Sequence, residues 1–399
     1  MTRRPQHGDL IRTEILALLG SAGPLGRAEI AARLGVGAAT VTEHTRRLIG
    51  EGFLRELPPH SASGTGRPRV PLELVSDAAH VLGIRVAVDH LVGTVVRLDG
   101  RVVSEFRLPE GVAEAPVRLL TKVVRDEIEA RRDSTPIRGV GVAVPGMADP
   151  ETGVVRLSGI MDWHDLALGT ELSRALPVPV LVDNDLRAST TAELLFGMGR
   201  EHDDFLVLGI GDGLGMGVVL ERRVQRGAAG SSGEFGHLPV ATDGPACSCG
   251  NRGCLQTYVG QSALLDRVRA AGVRLTAEDG PGGPTGPVGP AELAGLVAAA
   301  ERGEPEVLRI LAEAGALLGR CVAGVVNVLA VKAVKVIGES HVLWPYLGPS
   351  FTTAARSGAI EPLKDLSVRV SPWRDTEHAR GAACLLLARS GAITRRGVG

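Results

Sequence analysis

Three of the chain's five cysteines, Cys247, Cys249 and Cys254, fall within eight residues, and His237 stands ten positions before the first of them. Three thiolates and one imidazole form a complete tetrahedral ligand set for Zn2+, which favours soft sulfur and nitrogen donors. With all four positions taken by protein there is no open site for a reacting water, so the metal reads as structural. Gly250 and Gly253 stand where the loop between ligands must turn tightly. The alternative is three reduced, buried cysteines that hold nothing. A disulfide is disfavoured, because the first residues, MTRRPQHGD, lack the apolar stretch of a signal peptide and predict a cytoplasmic protein. Cys321 and Cys384 are isolated.

A chain of 399 residues suffices for two or three domains. No run of about 18 apolar residues suggests a membrane span. The net charge of −1 is unevenly spread: residues 1–75 hold ten arginines against seven acids, and the rest is acidic. That asymmetry points to a polyanion as partner of the N-terminal part.

Apolar positions at helical spacing predict helices over residues 9–20, 26–34 and 38–51. The last two are joined by Gly35-Val36-Gly37, the pattern of a helix-turn-helix, whose second helix enters the DNA major groove by its N-terminal part. Val41, Thr45, Leu48 and Ile49 would face inward. Ala38, Ala39, Thr40, Thr42, Glu43, Arg46 and Arg47 would face outward. Ala39 and Thr42 suit a thymine methyl, Glu43 a cytosine amino group and Arg46 a guanine. Arg47 suits a phosphate. Residues 52–57 and 70–74 read as antiparallel strands around the polar tip PPHSASGTGRPR, which makes residues 1–75 a winged helix-turn-helix. An extended Arg67-Pro68-Arg69 segment suits a narrow minor groove. The expected partner is a double-stranded DNA operator. A small helical module for protein contacts is the alternative.

From residue 76 onward the pattern changes. Strands are expected over 80–88, 93–98 and 101–108, then a helix over 112–132. Strands at 139–144 and 179–183 precede a helix at 186–196, and paired strands follow at 204–210 and 215–220. A Pro- and Gly-rich loop spans 280–290. Helices at 291–302 and 307–329, a strand at 332–337 and a closing helix at 376–390 complete the chain. Strands and helices in this order suggest two α/β lobes with a cleft.

The winged helix at the front, GEFGHLPV, CSCGNRGCLQTY and the phrase Asp183-Asn184-Asp185 together resemble the ROK family of sugar kinases and sugar-responsive transcriptional repressors, over nearly the whole chain. The resemblance implies an α/β, actin-like sugar-kinase fold of two lobes behind the winged module. The ROK sugar-binding domain would span 76–399, its first lobe about 76–190 plus the closing helix at about 376–390, its second about 191–375. It also implies a homodimer or higher homo-oligomer, and a sugar held by Asn184 and Asp185 on one side and Glu234 and His237 on the other. His237 would bind zinc with one ring nitrogen and face the sugar with the other. The family usually has glutamate two residues after the last cysteine. Here it is Gln256, which joins the sugar-binding set with an added donor and without the charge. Two plainer readings stay open: Asn184-Asp185 as a strand-to-helix cap, and Glu234 as a solvated acid.

Asp185 holds the general-base position of a ROK kinase. The family's Asp-x-Gly-Gly-Thr-Lys phosphate loop, however, matches LGIRVAVD, with Arg85 in the acid position and Ala87-Val88 where the glycines belong. The run LGIGDGLGMG keeps its glycines, but Gly338-Glu339 replaces the family's Gly-Gly near the adenosine. Asp185 is therefore read as vestigial and the chain as no enzyme. The expected function is a DNA-binding repressor of carbohydrate-utilisation genes, controlled by a sugar or sugar derivative in the cleft, with a structural zinc and no membrane partner. An ATP-dependent sugar kinase carrying a DNA-binding domain is the runner-up, and an interaction scaffold the third reading.

Overall fold

The computed structural model describes residues 7–59, 70–109, 112, 114–211, 213–275 and 289–389. The chain divides into two compact units. Unit 1 comprises Met1–Arg200, Arg226–Ser231 and Asp375–Gly399; unit 2 comprises Glu201–Gln225 and Ser232–Arg374.

Unit 1 opens with α1 (His7–Ala22), β1 (Leu25–Gly26), α2 (Arg27–Leu34), α3 (Ala38–Gly50), β2 (Leu54–Glu56) and β3 (Pro71–Leu74). A left-handed Gly35, φ 65°, ends α2 and starts the three-residue turn into α3. Ile30, Val41 and Leu48 are fully buried where the two helices meet. β3 pairs antiparallel with β2, Leu74 opposite Leu54, and also with β1. The two-residue β1 is too short to carry an alternating pattern, so only the pairing reveals it. The tip from residue 60, with Arg67 and Arg69, lies outside the described residues.

The body of unit 1 follows: β4 (His80–Val86), β5 (Leu91–Arg97), β6 (Val102–Leu108), α4 (Pro116–Glu129), β7 (Ile137–Val144), β8 (Met147–Ala148), β9 (Val155–Ser158), β10 (Trp163–Leu166), α5 (Leu168–Ala175), β11 (Val180–Asn184) and α6 (Asp185–Phe196). Five strands form one sheet in the order β11-β7-β4-β5-β6. β11, β7 and β4 run parallel, and β4-β5-β6 is an antiparallel meander. Leu120, Val123 and Val124 of α4 and Leu168 and Leu172 of α5 cover one face, against Leu82, Ile84, Val140 and Val142. Burying each such side chain contributes roughly 1.5–3 kcal/mol.

Unit 2 contains β12 (Phe205–Ile210), β13 (Leu214–Leu220), β14 (Arg223–Val224), α7 (Gln256–Val259), α8 (Gln261–Ala270), α9 (Pro290–Glu301), α10 (Pro305–Leu329), β15 (Ala333–Ile337), α11 (Trp344–Gly358) and β16 (Ser367–Val370). Its sheet order is β14-β13-β12-β15-β16. Among the described residues α10 is the one helix long and apolar enough to cross a membrane by length and composition. Its Ile310, Leu311, Leu318, Val322 and Val326 pack in the unit's own core, as a buried soluble helix does. The expected Pro- and Gly-rich loop lies, up to residue 288, outside the described residues.

The chain then returns to unit 1 as α12 (Asp375–Leu387). The helix lies directly on β4 and β7. A Cβ on Gly83 or Gly141 would collide with the carbonyls of Ala379 and Ala382, so glycine is required at both. The same buried cluster joins Ile11, Ile15 and Leu19 of α1 to Ala192 and Leu195 of α6 and Leu385 and Leu386 of α12. Arg200 Nη2 also donates to the Ser21 carbonyl at 2.8 Å. The winged module and the first α/β sheet therefore share one hydrophobic core.

Candidate metal centre and effector-binding residues

The metal-ligand set converges through backbone pairing. Leu255 N–H donates to the Leu238 carbonyl and Val240 N–H to the Gly253 carbonyl, both at 2.8 Å, which lays the His237 segment beside Cys254. Cys247 N–H donates to the Asn251 carbonyl at 2.8 Å, and Gly250 N–H to the Cys247 carbonyl at 3.0 Å, curling the loop around the sulfurs. Gly253 adopts φ 66°, and a Cβ there would collide with the Ala241 carbonyl.

The four ligand atoms lie within 4.8 Å of one another. His237 Nδ1 is 3.4 Å from Cys247 Sγ, and Cys249 Sγ is 3.7 Å from Cys254 Sγ. A tetrahedron with Zn–S of about 2.3 Å and Zn–N of about 2.0 Å has edges of roughly 3.8 Å between sulfurs and 3.5 Å between sulfur and nitrogen. The donor set and its spacing thus fit Zn2+. The thiols respond differently to their surroundings. The Asn251 backbone N–H holds Cys249 below the ordinary thiol value. Burial, reinforced by the neighbouring thiols of Cys249 and Cys247, pushes Cys254 up to about 12. Crowded thiols resist ionising together, and a divalent cation relieves that conflict.

Glu234 Oε2 lies 3.8 Å from His237 Nε2, on the ring edge opposite the sulfurs. Gln256, the first residue of α7, points its Nε2 at Cys247 Sγ, 3.3 Å away. Glu234, His237 and Gln256 are thus neighbours within unit 2. A depression of about 660 Å3 also adjoins the centre, lined by His237, Thr242, Asn251, Arg252 and Cys254 among others. Neither Glu234 nor Gln256 lines it.

Asn184 and Asp185 stand in unit 1, where β11 passes into α6. Asn184 is the N-cap: its Oδ1 accepts from Arg187 N–H at 3.0 Å, and its Nδ2 donates to the Gly146 carbonyl at 2.9 Å. Asp185 Oδ1 accepts from Leu186 N–H at 2.8 Å. Asn184 Nδ2 donates to the same oxygen at 3.1 Å, so among the described residues both hydrogen bonds to the carboxylate fall on Oδ1. Two residues that sequence reasoning missed hold this turn. Buried Arg187 donates from Nε to Asp183 Oδ1 at 2.7 Å, from Nη2 to the Ala148 carbonyl at 2.8 Å, and from Nη1 to the Gly230 carbonyl. His378 of α12 places Nδ1 2.8 Å from Ser189 Oγ and 3.2 Å from the Asp185 carbonyl. Burial holds its pKa down to about 4, so the ring is neutral. The i, i+4 spacing of Asp183 and Arg187 is a signal available in the sequence; nothing local marks His378.

On α3, Ala38, Ala39, Glu43, Arg46 and Arg47 are exposed and Thr40 and Thr42 half-buried, while Val41, Thr45 and Leu48 are buried. Arg47 pairs with Glu51 at 2.9 Å. Arg46 has no ion-pair partner among the described residues.

At the position of the first phosphate loop, Arg85 forms an ion pair with Asp375 at the start of α12. The same carboxylate is 3.0 Å from His90 Nε2 and 3.3 Å from Arg107 Nη1. His90 Nδ1 lies 2.6 Å from Asp89, and that hydrogen bond holds the Asp89 carboxyl below its ordinary value. In unit 2 the Glu339 carboxylate lies directly against Gly211 of the glycine-rich turn.

A winged helix fused to a two-unit α/β body with a Cys3His knuckle is the architecture of a sugar-kinase-like regulator. The chain belongs to the ROK family, whose model matches residues 81–389. The MarR family model matches residues 12–61. The chain is 31% identical to the xylose repressor of Bacillus subtilis (strain 168) over 259 residues, 64% of this chain and 67% of the repressor. A crystal structure of a ROK family transcriptional regulator, a homologue of the E. coli Mlc protein, matches with TM-score 0.80 at 25% identity, covering 97% of this chain and 98% of that one. A Streptomyces griseus ROK glucokinase, solved with glucose and AMPPNP, matches with TM-score 0.63 at 24% identity over 76% of this chain and 98% of its own. That last likeness is one of fold alone.

Proposed function

We propose that this chain is a DNA-binding transcriptional repressor of carbohydrate-utilisation genes, controlled by a sugar or sugar derivative and built around a structural zinc. The observation that carries the reading is the near-complete match to a ROK transcriptional regulator, winged module included. The side of α3 turned away from its buried Val41, Thr45 and Leu48 supports it: Ala39, Thr40, Thr42, Glu43, Arg46 and Arg47 form the proposed base- and phosphate-contacting set, to which Arg67 and Arg69 are added by residue type alone. By residue type and the family resemblance, Asn184, Asp185, Glu234, His237 and Gln256 are the proposed sugar-contacting residues. His237, Cys247, Cys249 and Cys254 hold the zinc, which fixes the His237 ring and takes no part in any reaction. A homodimer would read two half-sites about one helical turn, or a multiple of it, apart.

The ion pair of Arg85 with Asp375, and Glu339 set against Gly211, argue against phosphoryl transfer. One places a side chain and its counterion where a phosphate loop needs open backbone; the other adds negative charge beside the second loop. The test is a mobility-shift titration on the gene's own upstream region with a panel of sugars and sugar phosphates, alongside coupled ATP turnover with the same panel. Saturable, sugar-sensitive binding without turnover is expected. Sustained turnover with any sugar would instead establish the kinase.

A further inference from the structure

Gln256 follows the last cysteine of the chelate by two residues and opens α7. Its Nε2 lies 3.3 Å from Cys247 Sγ and 3.4 Å from Ser248 Oγ. The other end of the amide lies beside Gly236, where an added Cβ would stand 2.9 Å from Gln256 Oε1. The nitrogen end of the amide is therefore held against Cys247 and Ser248, and its oxygen end faces the glycine of the GEFGH turn.

The chemistry of the contact sets its direction. A thiolate accepts hydrogen bonds and donates none, so the amide must present its nitrogen. A glutamate in this pose would bring a carboxylate against a thiolate, two acceptors with no proton between them. The glutamine found here can donate to the Cys247 sulfur, which an ionised carboxylate could not.

We propose that Gln256 is a positioning residue of the metal centre, whose side-chain N–H bonds the Cys247 thiolate, aims its sulfur at the ion and sets the centre's affinity for Zn2+. The inference rests on the zinc reading above. Groups that orient metal ligands in this way typically change metal affinity by about 10–100-fold when removed. Nε2 has two protons, one for Cys247 and one for Ser248, which leaves Oε1 as the end available to a sugar hydroxyl.

The test uses the full chain as wild type, Q256E and Q256M. Zinc affinity is read by competition with a chromophoric chelator, and the thiolate-to-metal charge-transfer band is read after Co2+ substitution. Q256E keeps the shape and removes the N–H; Q256M removes it without adding charge. Both are expected to bind zinc about 10-fold or more weakly, Q256E the weaker, with the cobalt band moved to lower energy as the sulfur becomes more electron-rich. Wild-type zinc affinity and an unshifted band in both variants would overturn the proposal while leaving the zinc reading intact. A wild-type chain that takes up neither metal would overturn both. Thermal unfolding of the variants separates loss of the hydrogen bond from loss of fold.

Discussion

The chelate loop of unit 2 and the β4–β5 corner of unit 1 are both places where the family resemblance leads one to look for chemistry, and they are held together in opposite ways. In the loop, His237, Cys247, Cys249 and Cys254 are all present at tetrahedral spacing, and the backbone between them is locked by paired N–H and C=O groups. At the corner Arg85 takes its counterion, Asp375, from the far end of the chain. A loop can thus be organised by donors close together in the chain, or a corner by an ion pair between residues far apart in it. The first outcome needs four residues within a short stretch. The second needs two residues that meet only in the folded chain.

The largest effect that would break this contrast is at Cys254, which is fully buried. Cys254→Ser should abolish stoichiometric zinc, a loss of more than ~100-fold in affinity by metal analysis and chelator competition. Retained zinc would remove the loop from the comparison.

Next in size is the acid response of unit 1. His378 is neutral in the folded chain with a pKa of about 4, below the ordinary value of 6.5. Between those values the unfolded chain binds the proton and the folded chain does not. Stability is therefore unaffected by this group above pH 6.5 and falls as pH drops toward 4, by roughly 3 kcal/mol at most. His378→Asn should flatten that slope in denaturant unfolding followed across pH; an unchanged slope would mean the ring is not buried neutral.

Asp375→Ala should cost about 2 kcal/mol. It removes the carboxylate shared by Arg85, His90 and Arg107, and partial exposure of the pair keeps the loss below that of a fully buried ion pair. In a double-mutant cycle, Arg85→Ala combined with Asp375→Ala should cost less than the sum of the two. Additive losses would show that the corner is not held by this pair.

The smallest contrast lies on α3. Arg46→Ala should weaken operator binding by about 10-fold and relax specificity at one base pair. Arg47→Ala, already tied to Glu51, should weaken it only a few-fold and lower the salt slope by about one. Mobility shifts at two salt concentrations separate the two.

The sequence displayed the chelate plainly because its ligands are close along the chain and their residue types have few other uses. The helix-turn-helix was legible for a similar reason, with periodic apolar positions on both sides of Gly35-Val36-Gly37. Most of the two sheets was legible from continuous apolar runs. The short antiparallel sheet β8-β9-β10 was not, because its strands are two to four residues long and half the side chains of β9 and β10 are polar. α11 was missed as well; Pro349 lies inside it, where proline ordinarily argues against a helix. The Arg85–Asp375 pair and the seat of His378 under α6 depend on α12 crossing back to unit 1, which no local pattern encodes. Asn184 satisfies the plainer reading of a helix cap, and Oδ2 of its neighbour Asp185 keeps the capacity for another contact.

The core shared by α1, α6 and α12 bears on how such a protein can be rebuilt. A DNA-reading head joined by a slack tether could be exchanged between relatives like a cassette, with only the joining point to choose. Here Ile11, Ile15 and Leu19 are set among Ala192, Leu195 and Leu385. A chimera joined near residue 75 inherits a mismatched seam unless the seat on α6 and α12 is transplanted with the head. Swaps that ignore the seat should yield hybrids that unfold at lower temperature, and those that carry it should keep the stability of the parent.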